Sequence, residues 1–517
     1  MTSLEFIKDT NAVKYITNIM KEYPKMWKLT QVILGFGVIL SFRKISYKIY
    51  YNGIKKQIPG YIGLPFIGCI HSIAMNPKKF CLDVGKNGDI VSVQIGIDTQ
   101  LFINKAKVYK ELSQLDKGLV VSKPELPTAE EILPVLTLDI VNGKSWELRR
   151  KLVSSSFLTL VNSHFTQETM NELFDTEINK LDNNKLWYPR DSLQFIVFNV
   201  AYKALTGSII KEQKYVKKLA DLNKRMIDES AELMVDLFGI PTSIIKFLGI
   251  GKNLPASFNE IIEYVNDLIT FQGEFRIDGD NKTIERINKL NDDGKQYFID
   301  LAIDHLKNVG KVNYDEVMMD LFIVLVAATD TTAHSCEYGI NLLCKYPDIQ
   351  TKLYNEIKSI NNGEFNLKYI NQYHYLRAFV YETLRLARIV PINPHATSKD
   401  INYNGYFIPK NTTVNINSYY IHENEFKDAT LNLNNWLDND NKFKMNDSFI
   451  IFGKGKRDCV GKTLAIRELY IFLAHLILNY KLSVNDPLSQ KQLKEMKQSF
   501  NFIMLLDPQI GINIERR

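Results

Sequence analysis

One run limits what this chain can fold into: DEVMMDLFIVLVAATDTTAHSCEYGINLLCKYP, Asp315 to Pro347. It reads as a very long helix with an apolar middle, and its pure hydrocarbon stretch, Leu321 to Ala328, is too short to cross a bilayer. Such a helix belongs in a protein core. At its centre sit Asp330, Thr331 and Thr332. Asp and Thr are poor interior helix formers, and a buried acid costs several kcal/mol unless paired. A surface patch, or a threonine bonded back to its own helix, accounts for any one of them. An acid–alcohol pair relaying protons to a bound group accounts for the set.

Around that run the periods are mostly helical from Trp146 to about Tyr381, with turn-like breaks at GIPTS near Pro241 and NDDG from Asn291. DIVSVQIG and TQLFIN alternate apolar and polar residues around IDT and predict a β-hairpin. β signals return in INYNGYFIPKNTTVNINSYY and near the C-terminus in FNFIMLLDP. The fold class expected is therefore mainly α with a minor β portion (α+β), the β part drawn from both ends of the chain. PGYIGLPFIG, Pro59 to Gly68, cannot continue a helix and marks a boundary. It separates an extension, residues 1–58, from one large domain, residues 59–517.

Within the extension, Leu29 to Phe42 carries no charge and is followed directly by the basic RKISYKIYYNGIKK. As a helix it spans about 21 Å against the ~30 Å hydrocarbon core, so it reads as a short span or an interfacial anchor. A cleaved signal peptide fits poorly, because about 28 mixed-charge residues precede it. The formal charge of +6 comes from scattered Lys and Arg, which argues against a nucleic-acid partner. Five cysteines without a CxxC pair read as reduced thiols in a cytosol-facing protein.

FGKGKRDCVG, Phe452 to Gly461, sets Cys459 at the entrance of an apolar helical run, among glycines, Lys454, Lys456 and Arg457. Helix-start N–H groups and these cations bias the thiol toward thiolate, a nucleophile or a metal ligand; a buried structural cysteine is the plainer alternative. Glu382 and Arg385 lie at i, i+3 among apolar neighbours, which hints at a buried pair. Trp146 and Arg150, at i, i+4, offer an indole N–H and a guanidinium suited to a carboxylate. His395 follows the Pro391–Pro394 break.

Together these segments resemble the cytochrome P450 family. FGKGKRDCVG matches the haem-thiolate pattern F-x-x-G-x-R-x-C-x-G at Phe452, Gly455, Arg457, Cys459 and Gly461. Glu382-x-x-Arg385, AATDTT from Ala327 to Thr332, Trp146-x-x-x-Arg150 and the proline-rich hinge follow the family's order over about 450 residues. The resemblance implies a helical body around haem b, Cys459 as the axial thiolate on iron, and Trp146, Arg150, His395 and Arg457 on the propionates. It implies Asp330 and Thr331 as the catalytic proton relay, with Phe452 and Gly461 shaping the haem-side loop. It also implies monooxygenation of a lipophilic small molecule with NADPH electrons delivered by a flavoprotein reductase. The expected location is membrane-associated, at the endoplasmic reticulum, with the catalytic domain facing the cytosol. A thiolate-haem isomerase or dehydratase acting on peroxides, and a haem-binding module without turnover, are the alternatives. Two positions depart from the pattern. Ala328 stands where the family has glycine, and Asn434 and Asn435 replace an acid and the arginine that joins Glu382 and Arg385.

Overall fold

The computed structural model describes residues 58–517 apart from 62, 65–66, 97, 115–121, 162–164, 181–185, 231–241, 272, 279–280, 288–296, 309–311, 427 and 502. The hydrophobic anchor and basic segment lie outside the described residues, as do the turns expected at NDDG and at the start of GIPTS.

Seven helices build the site. They are α1 (Ala106–Gln114), α2 (Gly143–Val161), α3 (Pro189–Thr206), α4 (Gln213–Ser230), α5 (Tyr314–Lys345), α6 (His374–Ala387) and α7 (Lys462–Asn479). α5 is the long run, 32 residues or about 48 Å of rise. Asn313 starts it: its side chain accepts from the Glu316 N–H at 2.8 Å, and the Glu316 carboxylate accepts the Asn313 N–H at 2.8 Å. This reciprocal cap satisfies two N–H groups that a helix start leaves open. Among the described residues α5 is the helix long and apolar enough to cross a membrane, but most of its apolar window is buried inside the protein. It packs along α3 and against α6 and α7, in the largest apolar cluster. It is a core helix.

The main sheet draws on both ends of the domain. Its strands are β1 (Gly60–Tyr61), β2 (Ile90–Ile95), β3 (Asp98–Ile103), β4 (Asn393–Ala396) and β5 (Thr413–Ile416), in the order β1-β2-β3-β5-β4. β2 and β3 form the expected hairpin, Ile90 opposite Ile103. β3 pairs parallel with β5, and β5 antiparallel with β4, setting His395 opposite Val414. The expected helical stretch contains a small hairpin, Phe275–Asp278 with Thr283–Arg286. Its alternation buries Phe275 and Ile284 while the neighbouring side chains face outward, which a helical reading of so short a segment misses.

Candidate functional site

The Cys459 loop is a backbone construction. Gly453 donates its N–H to the Ile450 carbonyl at 2.8 Å, Asp458 to the Gly455 carbonyl at 3.2 Å, and Cys459 to the Phe452 carbonyl at 2.8 Å. Gly453 and Gly455 hold φ of +73° and +82°, where side-chain-bearing residues are strained. A Cβ on Gly453 would also sit 3.4 Å from the Asn393 amide and 3.6 Å from the Tyr109 hydroxyl. The loop delivers Cys459 two residues before Gly461, the N-cap of α7. The Gly461 N–H bonds to the sulfur. Phe452 packs edge-on against Phe449 at 6.1 Å.

Cys459 is exposed, whereas the other four cysteines are buried. Its thiol nevertheless lies above the ordinary range: the surrounding protein desolvates the anion, and Asp458 adds to this, outweighing the Gly461 N–H, Arg150 and Lys462. The expected bias toward thiolate is therefore corrected. The loop's cations are present, but desolvation is the larger effect, so the anion needs a stronger partner than a helix start.

Beside this loop lies a set of cationic and neutral N–H donors. Arg457 stacks over the Trp146 ring at 3.9 Å and donates to the Val141 carbonyl at 2.7 Å and to Asn142 Oδ1 at 2.8 Å. Arg150 does not close a clamp with Trp146. It donates to the Asp458 carbonyl and carboxylate, both at 2.7 Å, and stands 5.8 Å from the Trp146 ring. His395 is fully buried; Nε2 lies 3.5 Å from the Tyr109 hydroxyl and Nδ1 has no partner among the described residues. Tyr109 in turn accepts the Lys454 N–H at 2.9 Å, tying α1, the Cys459 loop and β4 together.

Lys123 was not singled out by the sequence. An isolated bridge pairs its neighbour Ser122 with Ala396 and lays Lys123 against β4. There its ammonium donates to Asn393 Oδ1 at 3.1 Å and to the Pro394 carbonyl at 2.8 Å. Asn142 links it to Arg457, accepting the Lys123 N–H at 2.8 Å. Burial, then Arg457, brings the Lys123 ammonium down to about 8. Burial, then Arg150, brings Arg457 down to about 10. Burial, then Lys123 and Arg457, holds His395 well below its usual range, hence neutral. Buried Arg457 and half-buried Lys123, crowded beside the His395 imidazole nitrogen, make a receptor for carboxylates.

The acid and alcohol of α5 take separate partners. Asp330 accepts from the amides of Gln194 at 3.0 Å and Asn223 at 3.4 Å. Burial lifts its carboxyl above the usual range against those two hydrogen bonds. Thr331 donates back to the Ala327 carbonyl at 2.7 Å. On α6, Glu382 and Arg385 are wholly buried and bidentate, at 2.7 and 2.6 Å.

A family model for cytochrome P450 matches residues 58–513. The chain is 26% identical over 465 residues to cytochrome P450 1A1 of Sparus aurata, covering 82% of this chain and 85% of that protein. It is 25% identical over 467 residues to the probable cytochrome P450 508D1 of Dictyostelium discoideum, covering 87% and 92%. It is 24% identical over 484 residues to cytochrome P450 1A1 of Rattus norvegicus, covering 88% and 89%.

The chain belongs to the cytochrome P450 family. It is a haem-thiolate oxidoreductase of the monooxygenase kind, using haem iron with a thiolate ligand and NADPH electrons passed through a reductase. The residues present fit that group, with an exposed cysteine on a glycine loop beside buried Arg457, half-buried Lys123 and an imidazole nitrogen left open among the described residues. In this P450 the arginine missing at Asn435 is replaced by neutral donors. Glu382 Oε2 accepts the Trp436 indole N–H at 2.7 Å. Glu382 Oε1 accepts the Asn432 N–H at 3.0 Å and the Asn435 amide at 3.2 Å. Ala328 leaves α5 helical throughout.

Proposed function

We propose that this P450 is a membrane-associated monooxygenase that inserts one atom of dioxygen into a lipophilic small molecule. The observation that carries the reading is Cys459: the exposed thiol of the chain, held by a backbone-built loop beside a carboxylate receptor. In this reading Cys459 would be the thiolate that holds the haem iron, and coordination would supply the anion stabilisation that the loop alone does not. Bound haem iron with a thiolate ligand supplies the electron donation that favours O–O cleavage.

The chain's own residues do the rest. Arg457, Lys123 and the His395 Nδ1–H donate to the propionates. Trp146 braces Arg457 by its ring face, and Arg150 fixes the loop through Asp458. Phe452 and Gly461 set the approach of the sulfur. Asp330 holds and releases a proton at its carboxyl oxygens, and Thr331 passes it on when its hydroxyl leaves the Ala327 carbonyl.

A flavoprotein reductase docks on the side of Lys454, Lys456, Lys462 and Arg467, where an acidic partner is steered electrostatically. Residues 1–58 anchor the protein to the endoplasmic reticulum with residues 59–517 in the cytosol.

The test is the absorbance of the reduced, carbon-monoxide-bound protein, which reports thiolate ligation. The wild type shows the thiolate band and Cys459→Ser loses both that band and NADPH-dependent product. Retention of both by the variant refutes the assignment.

A further inference from the structure

The partners of Asp330 are unusual for a half-buried acid: they are two neutral amides, from two different helices. Gln194 comes from α3 and Asn223 from α4, and each donates to a different carboxyl oxygen. The three side chains meet in a small cleft between α3, α4 and α5, walled by Val216, Leu219 and Val326. Thr329 also lines this cleft, and its buried hydroxyl has no hydrogen-bond partner among the described residues. A polar cleft with an orphaned hydroxyl is where ordered water binds, since a buried water typically satisfies two to four such groups.

We propose that Gln194, Asn223 and Thr329 form a water-holding niche that positions the Asp330 carboxyl and supplies it with protons from solvent. The proposal rests on the reading of Asp330 as proton donor. The amides suit this task because they carry no charge. An arginine or lysine in either place would hold Asp330 ionised. An amide donates N–H to the carboxylate and, after its side chain turns over, offers its carbonyl to the protonated acid. Both states of Asp330 are thereby served without a buried charge gaining or losing its partner. In the transfer itself a water O–H breaks, an O–H forms on Asp330, and the water regains its proton from bulk solvent. Nothing is oxidised or reduced.

The other groups facing Asp330 leave this role to the niche. Arg190 of α3 acts on it at a distance but is paired with Glu337 at 3.0 and 3.1 Å. His334 of α5 engages the Asp330 backbone carbonyl at 2.6 Å and is kept neutral by burial. From α4 the group that reaches Asp330 is Asn223.

The experiment uses the full-length, haem-loaded protein. Infrared difference spectra across pH follow the carboxylic C=O band that Asp330→Asn abolishes. Gln194→Leu and Asn223→Leu each remove a donor that favours the carboxylate, so each midpoint rises, by about one pH unit. Where a leucine variant loads haem poorly, Gln194→Met and Asn223→Thr replace it. Thr329→Val lowers product per electron about tenfold at unchanged haem content, while Thr329→Ser retains it. An unmoved midpoint in both amide variants overturns the positioning role. Wild-type coupling in Thr329→Val overturns the niche as proton supply. Wild-type coupling in Asp330→Asn sinks the underlying relay instead, and the titration distinguishes that failure from the first.

Discussion

Trp436 is where this P450 is most open to a quantitative test. Its side chain is wholly buried, and its indole N–H is one of two donors on Glu382 Oε2, the other being Arg385 Nε at 2.7 Å. Oε1 keeps three donors whatever happens at position 436: Arg385 Nη2, the Asn432 N–H and the Asn435 amide. Trp436→Phe therefore removes one charge-assisted hydrogen bond, worth about 1.5–3 kcal/mol. The smaller ring also loosens the packing against Tyr381, Phe426 and Phe449, whose centroids lie 5.2–5.6 Å away, adding on the order of 1 kcal/mol. The expected loss is about 2.5–4 kcal/mol. Asn435→Ala, giving up a weaker contact at 3.2 Å, loses about 1 kcal/mol. Arg385→Met strands a buried carboxylate and loses about 3–5 kcal/mol. Urea unfolding followed by far-ultraviolet dichroism and by haem absorbance measures all three, with turnover per bound haem alongside. The reasoning fails if Trp436→Phe unfolds within about 0.5 kcal/mol of wild type, or if it loses turnover per haem while keeping its stability.

Acid should weaken the fold through its buried histidines. Burial, then Arg388 and Arg385, brings His422 down to about 3, and the unfolded value is about 6.5. As pH falls below 6.5 the unfolded chain takes the proton first, so this contribution is complete above that pH and is lost below it, at about 1.36 kcal/mol per pH unit. Glu468, raised to about 8 by burial, slopes the other way, so the informative quantity is the difference between wild type and His422→Gln. That variant should take up about one proton fewer on unfolding between pH 6 and 4; identical pH slopes would refute it. At the proximal surface, Lys454→Glu with Lys456→Glu should slow reduction of the haem by its reductase about 10-fold at low salt and flatten the salt dependence. Stopped-flow rates equal to wild type at every ionic strength would remove the docking role from this patch.

What was legible in the sequence is what the chain does locally. Phe452 to Gly461 is one loop in which Gly453 and Gly455 supply positive φ and Cys459 folds back on Phe452, so its spacing carries its geometry. The capped, apolar α5 and the alternating β2–β3 hairpin are local in the same sense. Glu382 and Arg385 are one helical turn apart and read as a pair for that reason. The misses are long-range. Lys123 reaches β4 through a single bridge between Ser122 and Ala396, and no periodicity marks it. Gln194 and Asn223 meet Asp330 from separate helices, and an amide has no pattern of its own in a sequence. The Cys459 thiol was misread in direction because nearby cations can be counted from a sequence, whereas the desolvation that outweighs them comes from the fold.

The substitution at Asn435 joins these two kinds of reading. The missing arginine was visible, but its replacement was not, because Trp436 reads as one more aromatic residue among its neighbours. A short 3-10 turn, Leu433–Trp436, is started by the Asn432 side chain accepting the Asn434 N–H at 3.0 Å, and it carries the Asn435 amide and the Trp436 indole to the carboxylate together. The physical consequence concerns charge. Two arginines on one glutamate would leave a buried excess of one positive charge, whereas here Glu382 and Arg385 cancel and the remaining donors are neutral. A neutral cluster has less desolvation to overcome but no surplus attraction to spend, so it depends on every donor being in place. That dependence is why a single indole N–H, rather than a guanidinium, is expected to hold the segment after α6 against the core of this P450.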